Sequence, residues 1–320
     1  MMLVLTYSQT LIYLNPLIFY KQIVALLIQC RVIFHQDWKS ITAVKEHVLS
    51  KQRQVLKFAA FIEKNVDYSF WVKKKVMECA LLSSVTYGCE AWIDGSIKAA
   101  QTMYMSMVKT LAGVRVSTTN NLVLAELGLP SLETRVKKAQ KLFMKKIVQT
   151  RVGLTDDSFM HIWQLCEANN TKGYQYLCKV LNEDLSLPEE IERRKISIKA
   201  STSSKTIYYC EVNPCLEMHP MYEASDVKEH DRISATIIRL SSHDLAIEKG
   251  RWSRTKRKNR LCGCGSVQTE EHVVCSCERT EAIRIKYPDV NFSNLYEVFC
   301  HPNPSISTKV VRECYELSLP

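Results

Sequence analysis

The sequence predicts a mainly α chain: a helical bundle, a weakly structured linker, and a small module pinned by cysteine and histidine. Three observations predict it. Glycine and proline number only nine each in 320 residues, too few for the turns of a sandwich or barrel. Apolar residues make up 46% of the chain, and through the first half they recur at steps of three and four, the period of an amphipathic helix. Near the C-terminus LCGCGSVQTEEHVVCSC, Leu261 to Cys277, places four cysteines around one histidine.

The elements follow in order. Residues 1–32 are an apolar lead-in interrupted by Asn15, Pro16, Lys21 and Gln22. No uncharged run there reaches the ~18–20 residues of a spanning helix. A basic start and a small-residue cleavage site are both missing, so neither a membrane segment nor a signal peptide is expected. Residues 33–184 read as one helical domain. In KSITAVKEHVLSKQRQVLKFAAFIEKN the positions Ile41, Val44, Val48, Val55, Ala59 and Ile62 form one stripe. Asp67 is placed to cap the next helix, whose apolar face runs from Val72 to Tyr87 until Gly88 bends or ends it. GSIKAAQTMYMSMVKTLAGV follows, closed by Gly113.

A short helix, a break at Gly128–Pro130 and a longer helix capped by Ser131 come next. Along the longer helix Leu132, Val136, Ala139, Phe143 and Ile147 make a seam. Lys137, Lys141 and Lys145 recur every four residues on another face, with Lys138 beside them, a ridge able to meet a phosphate backbone. Residues 155–184 are also expected to be helical. Residues 185–225 read as a linker with a small strand at Thr206–Val212. Residues 226–300 comprise a helix from Asp226 to Leu240, a basic run and the Cys/His module, and residues 301–320 are a tail.

The charge is uneven. Net charge is +10 with a pI near 8.9, which favours a polyanionic partner. GRWSRTKRKNR holds Arg251, Arg254, Lys256, Arg257, Lys258 and Arg260 with no acid, and Trp252 within it could stack on a base. Thirteen cysteines, an odd number in a long chain, fit a reducing compartment, cytoplasmic or nuclear, better than a disulfide scaffold.

Cys262 and Cys264 flank Gly263 and precede Gly265; His272 and Cys277 complete C-x-C-x7-H-x4-C. Glycine permits the tight turn that two close thiolates need. Three sulfurs and one imidazole are a soft tetrahedral set suited to structural Zn2+. Thr269 is placed to cap a short helix that carries His272. Cys275 competes with Cys277 for the fourth position, and spacing alone leaves that choice open. A second group, Cys210, Cys215 and His219, lacks a nearby fourth ligand, and Cys300–His301 reads as incidental.

Two stretches carry a resemblance. KKKVMECALLSSVTYGCEAW (Lys73 to Trp92), with Tyr87, Gly88, Glu90 and Trp92 and the following KTLAGVRVSTTNNLVLAELGLPSLETRVKKAQ, resembles the post-palm region of reverse transcriptases of non-LTR (LINE-type) retrotransposons. RLCGCGSVQTEEHVVCSCERTEAIR (Arg260 to Arg284) is similar to the Cys/His segment near their C-termini. The likeness spans roughly residues 33–300. It implies a helical thumb-like domain, and it pairs His272 and Cys277 with Cys262 and Cys264, which demotes Cys275.

It also implies what is missing. Such polymerases hold two metal ions on an aromatic-Ala-Asp-Asp hairpin, and none occurs here. Asp156–Asp157 follows the presumed thumb and reads as a helix cap. No phosphate-binding, nucleophile-elbow or zinc-protease motif occurs. The expectation is a non-enzymatic chain without fingers, palm or endonuclease that binds RNA or DNA with little sequence preference. Two alternatives stand beside it: a non-catalytic protein-interaction protein, its partner covering the apolar face around Val72 to Tyr87, and a decayed fragment with no selected function.

Overall fold

In the computed structural model, the described residues are 40–92, 97–149, 167–169 and 172–319. The expected lead-in over 1–32 and the pair Asp156–Asp157 lie outside them. Among the described residues the chain is mainly helical, with no strand and a single isolated antiparallel bridge, Leu261 to Val267. No helix among them is long and apolar enough to cross a membrane.

The α-helices are α1 (Ser40–Ser50), α2 (Gln52–Lys64), α3 (Phe70–Val76), α4 (Lys98–Ala112), α5 (Asn120–Glu126), α6 (Leu132–Gln149) and α7 (Lys172–Asn182). They continue with α8 (Leu187–Lys199), α9 (Ser204–Val212), α10 (Glu229–Arg239), α11 (Ala246–Trp252), α12 (Glu281–Lys286), α13 (Leu295–Phe299) and α14 (Pro304–Ser318). A wide π-turn, Met77–Leu82, extends α3. Helix α3 starts after Ser69 rather than at the expected cap Asp67.

Three expectations are corrected. The linker over 185–225 is mostly helical: Thr206–Val212 lies in α9, because Thr206, Tyr209 and Val212 are buried at helical spacing. The tail over 301–320 is α14, a buried helix opened by Asn303, whose side chain accepts from the backbone N–H groups of Ser305 and Ile306, and by Pro304. The apolar face around Val72 to Tyr87 is largely internal: Met77, Leu81, Leu82 and Val85 are buried, and Val72 and Tyr87 are exposed at its ends.

The chain packs as two compact units, each drawn from separate stretches of the chain. One comprises the described parts of 1–51, 84–101 and 132–185. Its core joins Val44, Val48, Val85, Trp92, Leu132 and Val136. His47 Nε2 lies 3.2 Å from the carbonyls of Ser84 and Val85, and Gln140 donates to the carbonyls of Cys89 and Trp92 while Tyr176 donates to Gln140. Trp92, singled out in the sequence, is therefore a core residue whose backbone carbonyl is also satisfied.

The other unit comprises 52–83, 102–131 and 186–320. Helix α14 packs along α10 at its centre, burying Val310, Val311, Cys314 and Tyr315. Two ion-pair networks are sealed inside it. Lys73, at the basic start of the first resembling stretch, is fully buried and donates to Glu229 at 2.8 Å; Arg232 forks onto the same carboxylate. Glu126, the acid of the Ala-Glu-Leu-Gly element, pairs with Arg239 and accepts from Tyr209 and Tyr222.

Candidate metal centre

The turn after α11 builds the site. Cys262 N–H donates to Ser266 O at 2.7 Å and Gly265 N–H to Cys262 O at 2.9 Å, closing a knuckle. Gly265 sits at φ +90°, a left-handed conformation in which a side chain would be strained. Downstream, Thr269 Oγ1 accepts from the His272 N–H at 3.0 Å, the cap expected from the sequence. A π-turn over His272–Ser276 then carries the chain to Cys277.

These two pieces bring four ligands together. The ligating atoms of Cys262, Cys264, His272 and Cys277 all lie within 4.8 Å of one another and could hold a metal ion. Cys262 Sγ is 3.6 Å from Cys277 Sγ, Cys264 Sγ is 3.8 Å from Cys277 Sγ, and His272 Nε2 is 3.1 Å from Cys264 Sγ. All eleven described cysteines are free. Cys275 is not in the cluster; it is half-buried apart from it, and burial pushes its thiol up to about 12. The choice that spacing left open thus falls on Cys277.

The surroundings suit ligation. His272 Nδ1 lies 3.4 Å from Ser276 Oγ, which orients the ring with Nε2 inward. Burial and then Arg284 lower the His272 pKa, keeping the imidazole neutral as ligation requires. The backbone N–H of Ser266 leads the effects that lower the Cys264 thiol. Burial raises Cys277 to about 11, so its thiolate needs a cation beside it. Arg284 donates to Cys277 O and to Thr280 Oγ1, both at 2.8 Å.

Next to the cluster, Glu270 is buried and accepts from Ser241 and His243 at 2.8 Å each. Gln268 ties α11 to the end of α14 by accepting from Ala246 N–H and donating to Ser318 O. Glu270 and Gln268 escaped the sequence reading because their partners are distant along the chain, whereas those of Arg284 lie within two turns of it.

The basic candidates divide. Arg254, Lys256, Arg257 and Lys258 are exposed, and Trp252 is 60% exposed, its indole N–H donating to Glu248. Arg251 is paired with Glu248 at 2.5 Å. Arg260 lies across Gly250, donating to the carbonyls of Thr255 and Ile247. A β-carbon on Gly250 would meet its guanidinium Nε at 2.3 Å, so glycine here provides room. Arg251 and Arg260 are thus engaged by partners within the chain.

In the other unit, Lys137 is half-buried between Glu133 and Glu183, and Lys141 donates to the Glu183 carbonyl. Of the expected ridge, Lys145 stays exposed, as does neighbouring Lys138. Helix α7 ends at Asn182, and Glu183 just beyond it answers the first two lysines.

The second Cys/His group is not a site. His219 Nε2 bonds the Phe299 carbonyl at 3.0 Å and Nδ1 accepts from Met221 N–H at 3.1 Å, so both nitrogens are engaged. Neither the protein-family models, nor the curated proteins, nor the solved structures contain a match to this chain.

Proposed function

We propose that this chain is a non-catalytic nucleic-acid-binding protein whose Zn2+-pinned module presents a basic segment to the phosphate backbone of RNA or DNA. The observation that carries it is one of adjacency. Arg254, Lys256, Arg257 and Lys258 are exposed within a stretch that holds no acid, directly ahead of Cys262 and Cys264. The donor chemistry favours zinc. A tetrahedron with Zn–S bonds of ~2.3 Å has sulfur–sulfur edges of about 3.8 Å, and the two described separations are 3.6 and 3.8 Å. Four protein ligands leave no open position for water, so the ion would be structural. It would hold the knuckle shut and so place the basic segment.

The origin we propose is the thumb and C-terminal Cys/His region of a non-LTR retrotransposon reverse transcriptase, on the resemblance of Lys73 to Trp92 and of Arg260 to Arg284. A second reading, docking of another protein, draws on the exposed apolar side chains Tyr68, Trp71 and Val72.

Metal content by mass spectrometry comes first, on wild type beside Cys264→Ser and His272→Ala. One zinc per chain in wild type and none in either variant is expected. Binding to a labelled nucleic acid is then titrated with salt. A log–log slope of about −0.7 to −0.9 per neutralised phosphate supports the reading. Folded wild type without zinc, or binding indifferent to salt, would overturn it.

A further inference from the structure

A cleft of about 990 Å³ opens beside the metal centre, at the upper end of the ~300–1,000 Å³ typical of small-molecule sites. Helix α9 contributes Ile207, Tyr208 and Glu211; the start of α13 contributes Asn294 and Tyr296; the basic segment contributes Arg257. Its walls also carry Arg251, Arg260, Glu270 and Glu271, so acids and bases are equal in number.

Half of these charges are already engaged. Arg251 answers Glu248, Arg260 answers backbone carbonyls, and Glu270 is turned toward Ser241 and His243. The exposed ones are Arg257, Glu211 and Glu271. Two exposed carboxylates would repel a phosphate backbone running through the cleft. They would accept hydrogen bonds from the exocyclic amino groups of bases, as a carboxylate does from cytosine N4. Tyr296, 38% exposed, offers an aromatic face on which a base can stack, and Ile207, 49% exposed, adds apolar contact. Arg257 lines the cleft and is exposed, and the exposed Lys256 and Lys258 flank it in the chain, so this segment can hold phosphates. A strand whose bases are free of pairing can turn them into the cleft while its backbone stays on that segment.

We infer that this cleft takes unstacked bases of a single strand, with amino-bearing bases preferred, while the exposed cations of the basic segment hold the phosphates. The inference rests on the nucleic-acid reading above and adds the strand state and base class.

The test measures fluorescence anisotropy of full-length, metal-loaded protein near neutral pH. The probes are oligocytidylate, oligouridylate and a mixed-sequence RNA duplex of equal length. The proteins are wild type, Tyr296→Ala, the double variant Glu211→Gln/Glu271→Gln, and the triple variant Lys256→Glu/Arg257→Glu/Lys258→Glu. Zinc content and circular dichroism serve as folding controls. Wild type should bind oligocytidylate about tenfold tighter than oligouridylate or duplex. Tyr296→Ala should lose roughly tenfold on oligocytidylate with duplex binding unchanged, the double variant should narrow the cytidine preference, and the triple variant should lose all three probes. Equal binding of duplex and single strand by wild type, or an unchanged oligocytidylate affinity in folded Tyr296→Ala, overturns this inference and leaves the proposed function standing. Failure of wild type to bind any probe overturns both.

Discussion

Glu126 and Arg239 face each other with Oε1 2.6 Å from Nε, and both side chains are sealed from solvent. Burial alone would raise the Glu126 carboxyl, but the Arg239 charge and its hydrogen bonds bring it below its ordinary value. Tyr209 and Tyr222 donate to the remaining lone pairs, and the guanidinium lies 4.9 Å from the centre of the Phe299 ring. The pair joins α5 to α10, 113 residues apart in the chain.

Breaking this pair from one side leaves a buried charge without its partner. Arg239→Met is expected to destabilise this unit by about 3–5 kcal/mol, and Arg239→Met with Glu126→Leu to recover much of that. Urea unfolding followed by circular dichroism reads both. A single-variant loss below ~1 kcal/mol would mean that the pair is solvated.

His219 predicts a pH dependence. Burial and then Arg239 hold its pKa at about 4, against 6.5 ordinarily. As pH falls, the unfolded chain takes up the proton first. The stability contributed by neutral His219 is therefore complete above about 6.5 and is lost progressively between about 6.5 and 4. Urea midpoints across that range should fall with pH in wild type, and His219→Gln should flatten the slope. An unchanged slope would show that other groups set it.

The fourth ligand can be tested separately. Cys277→Ser should lose the metal, whereas Cys275→Ser should keep it at one equivalent and stay folded. The opposite outcome would return the choice to Cys275.

The lysines of α6 and the basic segment should behave differently. Lys137→Ala removes a half-buried side chain whose partner Glu133 is largely exposed. Its expected cost is under ~1 kcal/mol, with no change in the salt dependence of nucleic-acid binding. Charge reversal at Lys256 and Lys258 should lower that slope by about one unit per lost phosphate contact. A slope that drops for Lys137→Ala would place the ridge back in the interface.

Much of the local structure was readable from spacing. The seam Leu132–Val136–Ala139–Phe143, the Gly113 cap and the C-x-C-x7-H-x4-C pattern all rest on neighbours within a few turns. Helix α14 was read as a tail although its signals are local: Asn303–Pro304 is a helix start, and Val310, Val311 and Cys314 are spaced as a buried stripe. Thr206–Val212 was harder, because short apolar runs with β-branched residues suit strand and helix equally.

Composition and periodicity alone account for the helical class, the positive charge and the set of metal-binding side chains. They do so because helical period and ligand type are properties of short stretches. Tertiary contacts determine which of those side chains are available. Lys73 is in the core because Glu229, 156 residues away, answers it. Arg260 lies across Gly250 and so braces α11, while Arg257 reaches the cleft. Cys277 joins the cluster and Cys275 leaves it because the π-turn over His272–Ser276 sets where the chain emerges. A charge or a thiol acts at a surface only when nothing brought near by folding has already engaged it, and sequence distance says little about that.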